Sequence, residues 1–116
     1  RFKFLQQISQ KYRIFLLSNT NEIHMRWFKN YINNLFGENV FFSLFEVAYL
    51  SNEIGMRKPH KEIFEFVIHQ NKLDAATTLF IDDSPQHLVG AKEAGLQTIW
   101  LEPGMETVDI LSDFMA

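Results

Sequence analysis

The chain has 116 residues and no cysteine, which excludes disulfides and thiolate metal sites. Its 47% hydrophobic content supports one globular domain with a core, and 22% charged residues is too little for a disordered chain. A net charge of −3 leaves no basic footprint for nucleic acid. No apolar run approaches the roughly 20 residues that span a bilayer, and no basic-then-apolar signal opens the chain. The absence of cysteine fits a cytoplasmic protein. Arg1 stands where an initiator Met would, so the expectation is that the start has been cut or omitted.

In chain order, Phe4, Leu5, Ile8 and Tyr12 fall on one face of a helix. Ile14-Phe15-Leu16-Leu17 is a short apolar run ending in Ser18-Asn19-Thr20-Asn21, a strand feeding a polar turn. Ile23, Trp27 and Tyr31, with Phe28, Ile32 and Leu35, make the apolar stripe of a second helix that stops near Gly37. The polar residues 30–39 are that helix's end plus a loop. Residues 45–50 read as a strand, and the aromatics of FFSLFEVAYL as core rather than a recognition surface. Residues 55–59 form a loop, because Pro59 disfavours helix at Lys58. Ile63, Phe64, Val67 and Ile68 mark a third helix. Then come a strand at 79–81, a helix at 85–94 stopped by Gly95, and a strand at 98–101. A short amphipathic tail follows Pro103-Gly104. No repeat, linker or low-complexity segment interrupts this order.

Alternating helices and strands predict an α/β fold, a parallel sheet with helices on both faces. Ligands bind such sheets beyond the carboxyl ends of the strands. Ser18-Asn19 and Asp82-Asp83 both occupy strand ends, which makes them the functional candidates.

Two adjacent carboxylates at the end of an apolar strand suit a hard divalent cation, which would relieve their repulsion. Magnesium takes one or two carboxylates and keeps its other positions for water and phosphate. The alternative is a pair of solvated acids opening a helix, where the dipole favours negative charge. Ser84-Pro85 fits the N-cap and first position of that helix, so Ser84 is expected to cap rather than to act as a nucleophile. Ser18, Asn19 and nearby backbone N–H groups can hold phosphate oxygens, or simply turn the chain into the next helix. Lys58 offers a point charge for a phosphoryl group, although a loop lysine is usually solvated. His24, His60, His69 and His87 have no zinc-ligand spacing and read as surface or cap residues.

The order of these motifs resembles the haloacid dehalogenase-like (HAD) superfamily. LLSNTN is similar to the family's second motif, RKP to its third and IDDS, followed by GAKEAG, to its fourth. The match runs from about Leu5 to Leu101 and looks closest to phosphatase-type members with a small helical cap. The resemblance implies a Rossmann-like HAD core and assigns roles. Ser18 would hydrogen-bond the transferring phosphoryl group with help from Asn19. Lys58 would neutralise charge on the phosphoryl oxygens and the nucleophile. Asp83 would bind Mg²⁺ directly, and Asp82 would orient a metal-bound water or Lys58.

The family's first motif, Asp-x-Asp, carries the nucleophile and the general acid. None of Asp74, Asp82, Asp83, Asp109 and Asp113 forms it. The strand bearing that motif and the helical cap after it are likewise missing. These residues are therefore expected to be the C-terminal portion of a HAD core, inactive alone and prone to aggregate through open strand edges. The expected partners are a small phosphorylated metabolite, the protein's own upstream segment and a second copy. The family usually has Asn at position 87 and Asp-Pro at 60–61, where this chain has His87 and His60-Lys61.

The implied activity is a Mg²⁺-dependent phosphatase acting through an aspartyl-phosphate. Phosphomutases use the same motifs and stay open. Dehalogenating relatives need no metal and usually lack the acid pair. A non-catalytic binding module is the alternative from another class. A signalling receiver also has paired acids and a lysine, but in the reverse order.

Overall fold

The first helix, α1 (Phe2–Lys11), turns Ile8 into the core, where it is 4% exposed. It leads to β1 (Leu16–Ser18), a three-residue strand. The computed structural model describes residues 2–19, 22–37, 40–58 and 60–112. The sequence expectations at Thr20, Asn21 and Pro59 lie outside the described residues, as does the side chain of His24. The chain divides into two compact units, Arg1–Gly55 and Met56–Ala116.

In the first unit, β1 pairs in parallel with β2 (Ala48–Leu50), placing Leu16 beside Ala48 and Ser18 beside Leu50. Backbone bonds from Leu16 to Val47 and from Glu46 to Ile14 extend the ladder. Between the strands lies α2 (Glu22–Phe36), ended by Gly37 with φ 102°. The expected strand at 45–50 is a three-residue strand at Ala48–Leu50, preceded by a 3-10 turn at Phe42–Leu44. That turn carries part of an aromatic cluster: Phe41 meets Phe42 and Phe45 edge-on at 5.3 and 5.5 Å, and Phe28 of α2 meets both Phe41 and Phe42 at 6.3 Å. Tyr49 and Leu50 are buried, so the segment serves as core, as its composition suggests.

The stripe expected on α2 is only partly inward. Ile32 is buried, whereas Ile23, Trp27, Tyr31 and Leu35 are exposed, with the Trp27 and Tyr31 rings stacked at 5.5 Å. An apolar helix face names the residues that could pack, not the partner that covers them. A short helix, α3 (Ser51–Ile54), follows β2 directly and ends at Gly55 in the left-handed region.

The second unit is built on a βαβ element. β3 (Leu79–Asp82) pairs in parallel with β4 (Gln97–Trp100), in register from Leu79 with Gln97 to Asp82 with Trp100. The crossover helix is α5 (Pro85–Glu93), which packs on both strands. Its inward face is small: Gly90 is buried and Ala91 is fully so, which lets the helix backbone lie close. Gly95, at φ 96°, ends it with paired bonds from Gly95 to Lys92 and from Leu96 to Ala91, satisfying carbonyls the helix would otherwise strand. α4 (Lys61–Gln70) packs against α5 and supplies Ile63 and Phe64, both essentially inaccessible. Phe64 meets Phe80 of β3 edge-on at 4.9 Å. The expected tail is α6 (Thr107–Leu111). Among the described residues, no helix is long and apolar enough to cross a membrane.

Candidate active site

The carboxyl end of β3 delivers Asp82 and Asp83 to opposite environments, because successive strand residues point to opposite faces. Asp82 is buried at 8% exposure and Asp83 is exposed. Lys58 is also buried, contrary to the ordinary expectation for a loop lysine, and its Nζ stands 2.6 Å from Asp82 Oδ2. The same ammonium lies 5.6 Å over the Phe80 ring. The core contact of Phe80 with Phe64 thus continues directly into the ion pair.

Asp82 accepts from further donors. The Ser84 backbone N–H donates to Oδ1 at 2.9 Å, and His87 Nδ1 lies 3.1 Å from Oδ2. Burial alone pushes the Asp82 carboxyl up. The hydrogen bonds from Lys58 and Ser84, the Lys58 charge and the His87 contact outweigh it, lowering the value from 3.8 to about 2. Asp82 is therefore an ionised acceptor near neutral pH, committed to protein donors.

Asp83 is placed differently. Its backbone carbonyl accepts from the indole Nε1 of Trp100 at 3.0 Å, while Leu101 N–H donates to the Asp82 carbonyl at 2.9 Å. Both bonds come from the end of β4 and pin the loop that carries the acid pair. The Asp83 side chain faces outward, with the Ser84 hydroxyl at the outer limit of hydrogen bonding, 3.5 Å. Its carboxylate is the member of the pair open to a cation. Among the described residues, no group of three or more His, Cys, Asp or Glu side chains could cage a metal. That donor set fits a hard cation that retains several waters, such as Mg²⁺, better than one needing an all-protein cage.

Ser84 holds the N-cap position of α5 and Pro85 the first helical position, as expected, but the Ser84 side chain makes no capping bond. The local turn is closed by Asp82 accepting from the Ser84 N–H. His87 corrects the sequence reading: its side chain is only 16% exposed and is bonded to Asp82, not placed at the surface. His60 is exposed at the N-cap position of α4 without a side-chain cap bond, and His69 is exposed in the last turn of that helix. The structure thus brings Lys58 and Asp82 into contact, with Asp83 next in the chain. Ser18 ends β1 in the first unit, half-buried and in register with Leu50, and Asn19 follows it.

Sequence reasoning noted His87 as a departure from the family's Asn but missed its contact with Asp82, and it missed Trp100. A signal existed for His87: it is the third residue of α5, from which side chains commonly reach back past the N-cap. Trp100 had no local signal, because its place beside Asp83 depends on the β3–β4 register.

A model of the haloacid dehalogenase-like hydrolase family matches residues 4–101. The chain belongs to this family. Among curated HAD relatives, the D-ribitol-5-phosphate phosphatase of Bacteroides thetaiotaomicron is 30% identical over 106 residues, 91% of this chain and 51% of the relative. A crystal structure of a HAD family enzyme from Bacteroides thetaiotaomicron, in complex with magnesium and inorganic phosphate, superimposes with a TM-score of 0.83. It is 35% identical, over 93% of this chain and 54% of that one. The putative HAD-hydrolase YfnB of Bacillus subtilis, bound to magnesium, superimposes with a TM-score of 0.73 at 26% identity, over 90% of this chain and 44% of that one. The chain therefore spans about half the length of these HAD relatives.

Proposed function

We propose that these residues are the C-terminal portion of a HAD core whose parent protein is a Mg²⁺-dependent phosphatase of small phosphorylated metabolites. The observation that carries this reading is the division of labour at the end of β3. A buried ammonium is held by Asp82 at 2.6 Å, and the adjacent Asp83 carboxylate is exposed. Phosphoryl transfer relies on positioning and charge neutralisation more than on covalent chemistry by the protein. An ammonium fixed beside an open carboxylate supplies both.

In this reading Lys58 neutralises the phosphoryl oxygens and the attacking carboxylate. Asp83 is the direct oxygen ligand for Mg²⁺, while Asp82 holds Lys58 in place and adds its charge to the metal site. Ser18 and Asn19 bind phosphoryl oxygens through a hydroxyl and an amide. Bound at Asp83, Mg²⁺ supplies further positive charge to the phosphoryl group. The nucleophile is an aspartate outside these 116 residues, since none of the chain's aspartates forms Asp-x-Asp. It forms an aspartyl-phosphate that water then cleaves. The phosphatase relative and the magnesium- and phosphate-bound neighbour support the substrate class and the metal. A cytoplasmic setting agrees with a chain free of cysteine.

The test uses the full-length parent. It should hydrolyse p-nitrophenyl phosphate or small sugar phosphates only when Mg²⁺ is supplied, and Asp83→Ala should reduce turnover by about 100-fold or more. The 116-residue chain alone should show none. Unchanged turnover in Asp83→Ala, or metal-independent hydrolysis, would overturn the reading.

A further inference from the structure

Ile23, Trp27, Tyr31 and Leu35 recur every four residues along α2 and face away from the core, at 81%, 62%, 50% and 57% exposure. Single exposed apolar residues are ordinary on a protein surface, but a continuous row of large ones is not. At these exposures the row presents roughly 500 Å² of apolar surface, the size at which patches on soluble proteins mark contact sites. Its two aromatics are already ordered. The Trp27 and Tyr31 rings stack at 5.5 Å and 6°, so a partner meets a preset surface and little side-chain freedom is lost on binding. The helix beneath is fixed from its other side by the buried Ile32 and by Phe28, which meets Phe41 and Phe42.

The order of side chains along the row selects its occupant. Read from either end, it runs aliphatic, aromatic, aromatic, aliphatic. A twofold axis between Trp27 and Tyr31 lays an antiparallel copy of α2 across the first. Ile23 then meets the partner's Leu35, and Trp27 meets the partner's Tyr31. A twofold interface requires this kind of self-complementarity. Two rows of spacing four mesh at a crossing angle of about 50°, which concentrates contact at the centre, where the aromatics lie. Buried tryptophan and tyrosine at the centre of an interface carry most of its binding energy.

Charge does not oppose the pairing. The row itself is uncharged, and the adjoining row of Arg26, Asn30 and Asn34, all exposed, brings one charge per copy. The twofold axis sends the two arginines to opposite sides of the crossing. Lys29 points elsewhere, to Glu53 at 3.7 Å and over the Phe42 ring. Two copies of the row remove about 1,000 Å² of apolar surface from water, and a polar rim brings the total into the range of a specific interface.

We infer that α2 is a dimerisation surface, on which a second copy of this chain docks through Ile23, Trp27, Tyr31 and Leu35. The dimer does not depend on the phosphatase chemistry, so its failure leaves that reading intact.

The full-length parent protein tests the inference. It should sediment as a dimer at about 100 μM. Trp27→Glu should raise the dissociation constant by at least about 100-fold, because each dimer loses two central aromatics and gains two like charges beside the axis. A monomeric wild-type parent, or a dimer that Trp27→Glu leaves intact, would overturn the inference. Hydroxyl-radical footprinting of the wild-type protein keeps it decidable if the charged variant folds poorly. Oxidation of Trp27 and Tyr31 should slow as the concentration rises through the dimer range, relative to Trp100 on β4. Protection of Trp27 and Tyr31 that is the same at every concentration would mean that the rest of the parent covers this face, and would overturn the inference. So would full reactivity at every concentration.

Discussion

Lys58 and Asp82 form a buried ion pair 24 residues apart in the chain, with Nζ 2.6 Å from Oδ2 and side-chain exposures of 9% and 6%. Removing one charge from such a pair leaves the other buried without its counter-ion, which costs about 3–5 kcal/mol. Replacing both by apolar groups of similar size is far less costly. Catalysis has no such symmetry, because on the reading above the ammonium is needed in itself.

Lys58→Met in the full-length protein should therefore lower both stability and turnover, the first by about 3 kcal/mol. Lys58→Met combined with Asp82→Leu should recover most of the stability and none of the activity. Chemical denaturation and phosphate release, measured on the same three proteins, separate the two effects. Additive losses of stability in the double variant would show that the pair is not energetically coupled.

The helices and strands were legible because their signals are local. Apolar spacing in α1 and α4, the Ser84-Pro85 start of α5 and the Gly95 stop all act within a few residues. The acid pair and Lys58 were found for the same reason, through short motifs in a fixed order. What escaped depends on contacts between elements. The outward turn of Ile23, Trp27, Tyr31 and Leu35 reflects which side of α2 is covered, which helical spacing does not encode. His87 passed for a surface residue because its partner lies on the preceding strand. The packing of the Phe42–Leu44 turn depends on Phe28 of α2, which lies outside the local pattern.

The second prediction concerns acid. The Asp82 carboxyl is lowered from 3.8 to about 2 in the folded protein, so its contribution to stability is fully present above its unfolded value. It is lost as the pH falls from near 4 through about 2, and amounts to about 2 kcal/mol. In metal-free full-length protein, the carboxyl carbon-13 resonance of Asp82 should keep its ionised position at pH 3. A midpoint near the ordinary carboxylate value would show that Lys58, Ser84 and His87 do not hold the charged form.

The third prediction concerns the loop that presents Asp83. Trp100→Phe removes the indole donor to the Asp83 carbonyl, a 3.0 Å bond, and keeps an aromatic ring at the end of β4. Fold stability should change by no more than about 1 kcal/mol, since the bond lies at an exposed site. Mg²⁺ affinity should fall by about 10-fold, as happens when a group that orients a metal ligand is lost. Calorimetric titration of Mg²⁺ into the metal-free parent protein measures this directly. An unchanged affinity would mean that the β3–β4 register alone sets the direction of Asp83.

The last prediction lies away from the site and tests the fold. Two residues beyond the end of α4, Lys72 lies in the left-handed region at φ 53°, where its N–H donates to the His69 carbonyl and the following Leu73 N–H donates to the Ile68 carbonyl at 3.0 Å. That pairing of bonds normally closes on glycine, because a Cβ there crowds the carbonyl oxygen at a cost of about 1–2 kcal/mol. The Lys72 side chain is exposed, so little packing is lost on removing it. Lys72→Gly should relieve the crowding, while the greater freedom of glycine in the unfolded chain offsets part of the gain. The net effect should be a stabilisation of about 0.5–1 kcal/mol, seen as a rise in Tm of about 2–4 °C in the parent protein. Lys72→Val should shift Tm in the opposite direction, because a β-branched side chain tolerates positive φ worst. A fall in Tm for the glycine variant would show that the α4 terminus does not adopt this closure in solution.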